Sequence, residues 1–418
     1  MFSILRRALR SLGVGLSGFA FVYCGVAIAQ TAPAFEELYR RAATAAPRLL
    51  EDAADVRAAE ARARQAATWP NPQLSLETED FAGNGPYRNF GQAQTTLSLS
   101  EPLELGGQRS ARILAGRAEA NFYALKSQQA RVEFGYELAM AYAEAEAAQG
   151  RVALLVADLE RSQEDLRVAR ALVGSGKESD LRALQAESAL AGVQADVEAG
   201  RADVIARLGA LSTLAGASET YSGIGPSLLE RPATPALGRL ISQSAAPAVA
   251  TAQAEREAAE LQLRVEQKRA LPVVSLSVGV RRIAGDDATA MVGGISVAVP
   301  LFDRNRSGIA ASRAQRDAAD ARLVAARLQS EAGVRTSAAQ ATAVDSRVAA
   351  ADRGVSVTRE AYRLARVGYE AGRTPLIELL ATRRALTEAQ LRVIDARLAR
   401  VQIQASIARF SGRIPFAE

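Results

Sequence analysis

Four acidic side chains stand where the local pattern gives them a defined position. Glu77 and Glu79 alternate in Gln73-Leu74-Ser75-Leu76-Glu77-Thr78-Glu79, Asp180 follows the break Gly174-Ser175-Gly176, and Glu378 follows Gly372-Arg373-Thr374-Pro375. Nothing beside them supports nucleophilic or zinc-centred catalysis. Histidine is absent and the single cysteine, Cys24, lies in the N-terminal leader, which removes His dyads, thiolates, disulfides and the commonest metal ligand together. Gly106-Gly107 lacks the Lys-Ser/Thr that completes a phosphate-binding loop. No enzyme activity, no cofactor and no resident metal is expected; the chemistry left to these acids is charge and hydrogen bonding.

The leader itself is set aside first. Arg6, Arg7 and Arg10 precede an apolar run over 12–28 that closes with Ala27-Ile28-Ala29, so 1–29 reads as a secretory signal. As a membrane anchor the run is short and interrupted by Gly13, Gly15, Gly18 and Gly25. A lipid anchor on Cys24 is the other reading, and the bulky Tyr23 before it fits that cleavage site poorly. Without the three leader arginines the formal charge falls from +5 to +2, too little to argue for a nucleic-acid partner. Aromatic residues make up only 5% of the chain and alanine is abundant, a composition that suits long thin helices better than a large globular core. No later run of about eighteen apolar residues exists to form a membrane-spanning helix.

The elements that must position the acids come in two similar sets. Residues 35–67 read as two helices broken near Pro47 and stopped by Trp69-Pro70-Asn71-Pro72. Leu74 and Leu76 then alternate with Gln73, Ser75, Glu77 and Glu79, and after a Gly/Pro-rich loop Leu97 and Leu99 alternate with Ser98 and Ser100. This predicts a β-hairpin over 72–101 with strands of about ten residues. A proline-free helix over 108–173, about 98 Å long at 1.5 Å per residue, and a return helix to about 215 make a helical hairpin over 108–215. The first repeat is thus 30–215, followed by an irregular linker over 216–235. A second repeat over 236–411 has its own helices, a β-hairpin over 273–299 and a helical hairpin over 307–411, leaving 412–418 as a tail. Pro72 lies 200 positions before Pro272, Pro102 lies 198 before Pro300, and Gly176 lies 196 before Gly372.

All four strands carry apolar residues on one side and polar ones on the other, with Arg281 joining Glu77 and Glu79 on the polar side. Strands with a lipid-facing and a water-facing side are what an outer-membrane barrel requires. Four strands cannot close a barrel, because their edges would leave backbone groups unpaired in lipid. A homotrimer would supply twelve, and would set the alanine-rich helices side by side as a tunnel. The expected fold is therefore mainly α with a small membrane β-barrel.

With this layout the chain resembles the TolC-like outer-membrane efflux factors over essentially its whole mature length. Asn71-Pro72 with Leu74-Ser75-Leu76-Glu77-Thr78-Glu79-Asp80, Glu104-Leu105-Gly106-Gly107-Gln108-Arg109 and Pro300-Leu301-Phe302-Asp303-Arg304-Asn305 are similar to the heavy-metal-resistance, CzcC-like branch. The resemblance implies a homotrimeric channel-tunnel in the outer membrane, joined to a periplasmic membrane-fusion adaptor and an inner-membrane pump of the resistance-nodulation-division type. It implies that Gly174, Gly176, Gly372 and Thr374 form adaptor-facing tips, and that Asp180, Tyr369 and Arg373 match bonds that close the periplasmic gate. Glu378 matches an acidic ring, and the second acid expected one turn later is replaced by Ala381. Glu77, Glu79 and Arg281 would line the barrel lumen. A metal channel without His passes its cargo on weak carboxylate contacts, which suit release rather than retention.

Blander readings stay open at each position. Ser179 or Asp180 would cap the helix that follows, so that Asp180 would equally be only a cap; Arg373 would be a solvated tip residue, and Glu77 and Glu79 a solvated strand face. The alternatives for the whole chain are an outer-membrane factor for drugs, or a soluble periplasmic helical-hairpin adaptor.

Overall fold

A computed structural model describes residues 30–231 and 246–417. The leader with Cys24, the end of the expected linker and the start of the second repeat lie outside these residues. Helices dominate the described part. α1 (Phe35–Ala45) and α2 (Pro47–Ala66) meet at Pro47, which opens α2 at a position where its missing amide breaks no helical bond. α3 (Gln108–Gly174) and α4 (Asp180–Ala215) form the first helical hairpin; α5 (Pro247–Arg269) leads into the second, α6 (Arg306–Glu370) and α7 (Leu376–Phe410). At 67 residues, α3 is about 100 Å long.

α3 is also the central helix, packed against α2, α4, α5 and α7. Its buried residues, among them Phe134, Leu138, Tyr142, Leu166 and Ala169, therefore circle the helix instead of forming one stripe, as expected where neighbours stand on several sides. Two apolar clusters hold it. One gathers Phe35, Leu38, Phe134, Tyr142, Leu211 and Val401; the other, toward the hairpin tips, gathers Leu166, Ala186, Tyr362, Tyr369, Leu376 and Leu379.

The region expected as an irregular linker is bolted down. β1 (Thr31–Ala32) pairs in parallel with β4 (Gly223–Ile224), Tyr142 donates to the Pro226 carbonyl at 2.8 Å, and the Glu146 carboxylate accepts the Leu228 amide at 2.8 Å. Side chains on α3 satisfy a backbone that has no regular structure to pair with, a pairing that spacing along the chain does not reveal.

The remaining strands form one antiparallel sheet in the order β2 (Gln73–Glu79), β3 (Gln94–Leu103), β5 (Val273–Ile283), β6 (Ala288–Ala298). β2 has seven residues rather than the expected ten, because Asp80 adopts a left-handed conformation (φ 55°) and turns the chain out of the ladder. Leu76 pairs with Leu97, Leu97 with Val280 and Val280 with Met291, so Val273, Ile283 and Val292 fall on one face, while the paired residues and those two positions along each strand share the other. That face is bare: Leu74 is 68% exposed and Ile295 73%. The outer edges of β2 and β6 pair with no strand among the described residues.

Both repeats launch their long helix in the same way. The residue before α3, Gly107, and the residue before α6, Asn305, are both left-handed, with φ of 80° and 52°. They are 198 positions apart, the offset of Pro102 and Pro300, and Asn is the non-glycine residue that tolerates this conformation best.

Candidate functional site

The polar face of the sheet is organised by Arg281. From β5 its guanidinium donates to Thr96 Oγ1 at 2.9 Å and to Gln94 Oε1 at 3.1 Å, and its Nη2 lies 3.3 Å from Glu79 Oε2. Three strands are thereby joined by one side chain near their loop end. Ser75 and Ser98 add a cross-strand hydroxyl pair at 2.8 Å. Glu77, opposite Thr96, remains exposed and forms no ion pair among the described residues. Glu79 and Arg281 are thus brought together, and Glu77 stands beside them with its charge free.

At the far end the two helical hairpins turn on the same device. Gly176 and Gly372 are left-handed, with φ of 72° and 70°. The Lys177 amide donates to Leu172 O at 3.0 Å and the Gly176 amide to Val173 O at 2.9 Å; the Arg373 amide donates to Gly368 O at 2.8 Å and the Gly372 amide to Tyr369 O at 2.9 Å. Both are Schellman closures, which satisfy the last carbonyls of a helix where a β-carbon would be strained. Gly174 ends α3 itself, with no atom near where a side chain would stand. The Thr374 amide donates to Gly368 O at 3.2 Å, holding that residue against the last turn of α6.

The other tip residues are not joined within one chain. Asp180, Arg373 and Glu378 are exposed, and no side-chain hydrogen bond or ion pair links them to each other or to Tyr369. The capping reading of Asp180 is corrected: Ser179 occupies the cap position of α4, Asp180 is the first helical residue, and no side-chain cap bond forms. Tyr369 is 1% exposed, and its hydroxyl has no hydrogen-bond partner among the described residues. Burial raises its pKa, with the Glu178 charge adding to the effect.

Above the tips lies a buried polar cluster that sequence reading missed. Arg383 of α7, 4% exposed, donates to Asp165 of α3 at 3.1 Å, and its Nε lies 3.7 Å from Asp158. Tyr362 of α6 donates to the other Asp165 oxygen at 3.3 Å, and Arg161 stands 3.6 Å from Asp158. Burial pushes the Asp165 carboxyl up, against the pull of Arg383 and of the Tyr362 bond. Burial and the neighbouring Asp165 push Tyr362 up to about 12. The signal available in sequence was Arg383 between Leu379 and Leu386, an arginine at apolar spacing on a helix.

Among the described residues no cluster of three or more His, Cys, Asp or Glu could hold a metal ion, and no helix is long and apolar enough to cross a membrane. One end of the chain therefore presents a sheet with a bare apolar face and a charged polar face. The other presents paired tight turns with free charges, separated from the sheet by the length of α3.

A family model described as "OEP: Outer membrane efflux protein" matches residues 38–217 and 241–413. The nickel-cobalt-cadmium resistance protein NccC of Alcaligenes xylosoxydans xylosoxydans is 43% identical over 391 residues, covering 93% of this chain and 89% of that one. The nickel and cobalt resistance protein CnrC of Cupriavidus metallidurans is 43% identical over 393 residues, covering 93% of each. Among solved structures, the outer membrane protein VceC of Vibrio cholerae superposes with a TM-score of 0.76 at 19% identity, covering 91% of this chain and 96% of that one. The last likeness is one of fold.

Proposed function

Since the chain belongs to the outer membrane efflux protein family, we propose that it is the outer-membrane channel-tunnel of a tripartite efflux system, passively conducting divalent heavy-metal cations to the exterior. The observation that carries this reading is the sheet: one face apolar and exposed, both outer edges without a partner strand among the described residues, and helices of about 100 Å continuing from it. In lipid every backbone group needs a partner, so such a sheet is stable only when closed. β6 runs opposite to β2, so copies added edge to edge keep the antiparallel order. A homotrimer would make a twelve-stranded barrel in outer-membrane lipid, with Glu77, Glu79 and Arg281 in its lumen and the helical hairpins forming a tunnel through the periplasm.

At the tunnel entrance, Asp180 and Arg373 carry charges with no partner among the described residues, which suits bonds to the neighbouring hairpins of a closed gate. Tyr369, buried with a free hydroxyl, would support the same ring from within. Three copies of Glu378 in a narrow pore would attract cations. The turns at Gly174, Gly176, Gly372 and Thr374 would meet a periplasmic adaptor, and through it a resistance-nodulation-division pump that supplies the energy; the channel itself catalyses nothing. Cargo follows from the relatives, whose names are those of nickel, cobalt and cadmium resistance proteins, and from the absence of His and mature Cys, which keeps contacts with such ions weak.

Deleting the protein from its host is expected to raise sensitivity to nickel, cobalt and cadmium more than to hydrophobic drugs, and heat-sensitive trimers should be recovered in the outer membrane. Greater sensitisation to drugs than to metals would overturn the cargo. Recovery of a soluble periplasmic monomer would overturn the channel.

A further inference from the structure

Charge on the polar face of the sheet is confined to Glu77, Glu79 and Arg281, which fall in two adjacent rows. Arg281 stands in the row of Glu77 with Thr96 between them, yet its guanidinium leans into the next row, where Nη2 lies 3.3 Å from Glu79 Oε2. Two neutral acceptors fix that lean, Thr96 Oγ1 at 2.9 Å and Gln94 Oε1 at 3.1 Å, and the Gln94 amide itself donates to Asp80 at 3.4 Å. Toward the helices the same face is hydroxylic and uncharged, with Ser75, Ser98, Ser100, Ser275, Ser277 and Ser296. The second repeat has no acids to match: the offset of 200 that carries Pro72 onto Pro272 carries Glu77 onto Ser277 and Glu79 onto Gly279. Both carboxylates of this face therefore belong to one strand in four.

Glu77 and Glu79 leave the same side of β2 about 7 Å apart along the strand, near enough for one oxygen of each to meet on a single divalent cation. Two carboxylates sharing a cation hold it more firmly than one, which is retention in a conduit that has to release. We infer that Arg281 is a specificity-determining residue of the exit: by occupying Glu79 it keeps Glu77 and Glu79 from closing together on a passing divalent cation. This rests on the channel proposed above and adds the residue that keeps its mouth from trapping the cargo. With side chains 33% and 47% exposed, the Arg281–Glu79 pair contributes little to stability. Its effect is on the cation, which the guanidinium repels and deprives of one oxygen. Neighbouring copies cannot replace that control. In a twelve-stranded barrel their β2 strands are four strands apart, roughly 19 Å of wall, well beyond the screening length of about 8 Å at physiological salt. Each chain governs its own two acids.

Current through the full chain in planar bilayers tests this, with nickel chloride added on the side of the β-hairpin loops. Every channel compared carries Glu378→Ala, so that acids at the entrance add no block of their own. Arg281→Gln should lower the nickel concentration that halves the current by about tenfold. Adding Glu77→Gln or Glu79→Gln to it should abolish that gain, and Arg281→Lys, which keeps the charge, should restore most of the parent's tolerance. A block that Arg281→Gln leaves unchanged, a gain that survives the loss of either acid, or a lysine variant as sensitive as the glutamine one overturns the inference while the channel stands. Arg281→Met, which keeps the aliphatic stem, repeats the measurement if the glutamine variant does not run as a trimer on unheated gels. Absence of any ion current from the unsubstituted chain would instead bring down the channel on which the inference rests.

Discussion

Arg383 reaches from α7 to the Asp165 carboxylate of α3 at 3.1 Å, in a site where Arg383 is 4% and Asp165 2% exposed. This one bond ties the second helical hairpin to the first just above their tips, and Tyr362 secures the same carboxylate from α6. Arg383→Met would leave Asp165 buried without its cation and Asp158 with Arg161 alone, costing about 3–5 kcal/mol in tip packing. Urea unfolding followed by helical circular dichroism measures it. The double variant with Asp165→Leu should recover most of that loss, since an apolar replacement of a buried ion pair is often neutral and Asp158 keeps Arg161. A single variant as stable as the parent would mean that the pair is solvated.

Alkaline pH should loosen the helical body through two buried phenols. Tyr362 and Tyr142 are pushed up to about 12, each by burial first and then by a nearby carboxylate, Asp165 or Glu146. The folded chain then holds two protons that the unfolded chain releases near pH 10, so their stabilisation is complete below about 10 and is lost as pH rises through about 12. Tyr362→Phe and Tyr142→Phe should each flatten part of that fall. Unchanged alkaline unfolding in both variants would contradict the assignment.

The three tip glycines should respond differently to alanine. Gly176 and Gly372 have positive φ and open space around them, so Ala costs only backbone strain there, about 1–2 kcal/mol. Gly174 is helical and equally open, and Ala should stabilise it by about 0.5–1 kcal/mol. Hydrogen exchange at the tip amides reads out the contrast, and equal responses at all three positions would rule out the paired Schellman geometry.

Glu378→Ala should lower the cation preference of the pore in planar bilayers and raise metal sensitivity in cells, with trimer yield unchanged. Glu77→Gln, in a wider part of the conduit, should have a smaller effect. A selectivity insensitive to Glu378 would remove the acidic ring from the entrance.

Much of this architecture was legible along the chain. Alternation in 73–79 and the offsets between Pro72 and Pro272 or Pro102 and Pro300 marked the hairpins and their duplication, and proline-free alanine-rich stretches marked the long helices. Those signals are local: period-two and helical patterning depend on neighbours a few residues away, and Gly or Pro punctuates the backbone wherever it stands. The sequence by itself therefore determined the kinds of element, their order and the family resemblance that the comparisons bear out.

Tertiary structure alone decided what meets what across hundreds of positions. Asp158 and Asp165 look like ordinary helical surface charges, and Arg383 at its apolar spacing names no partner, until α7 is laid against α3, 218 residues further on. Glu146 clamps a linker that has no pattern of its own. Burial and pairing are properties of surfaces assembled from distant segments, and their energies depend on which neighbours exclude water.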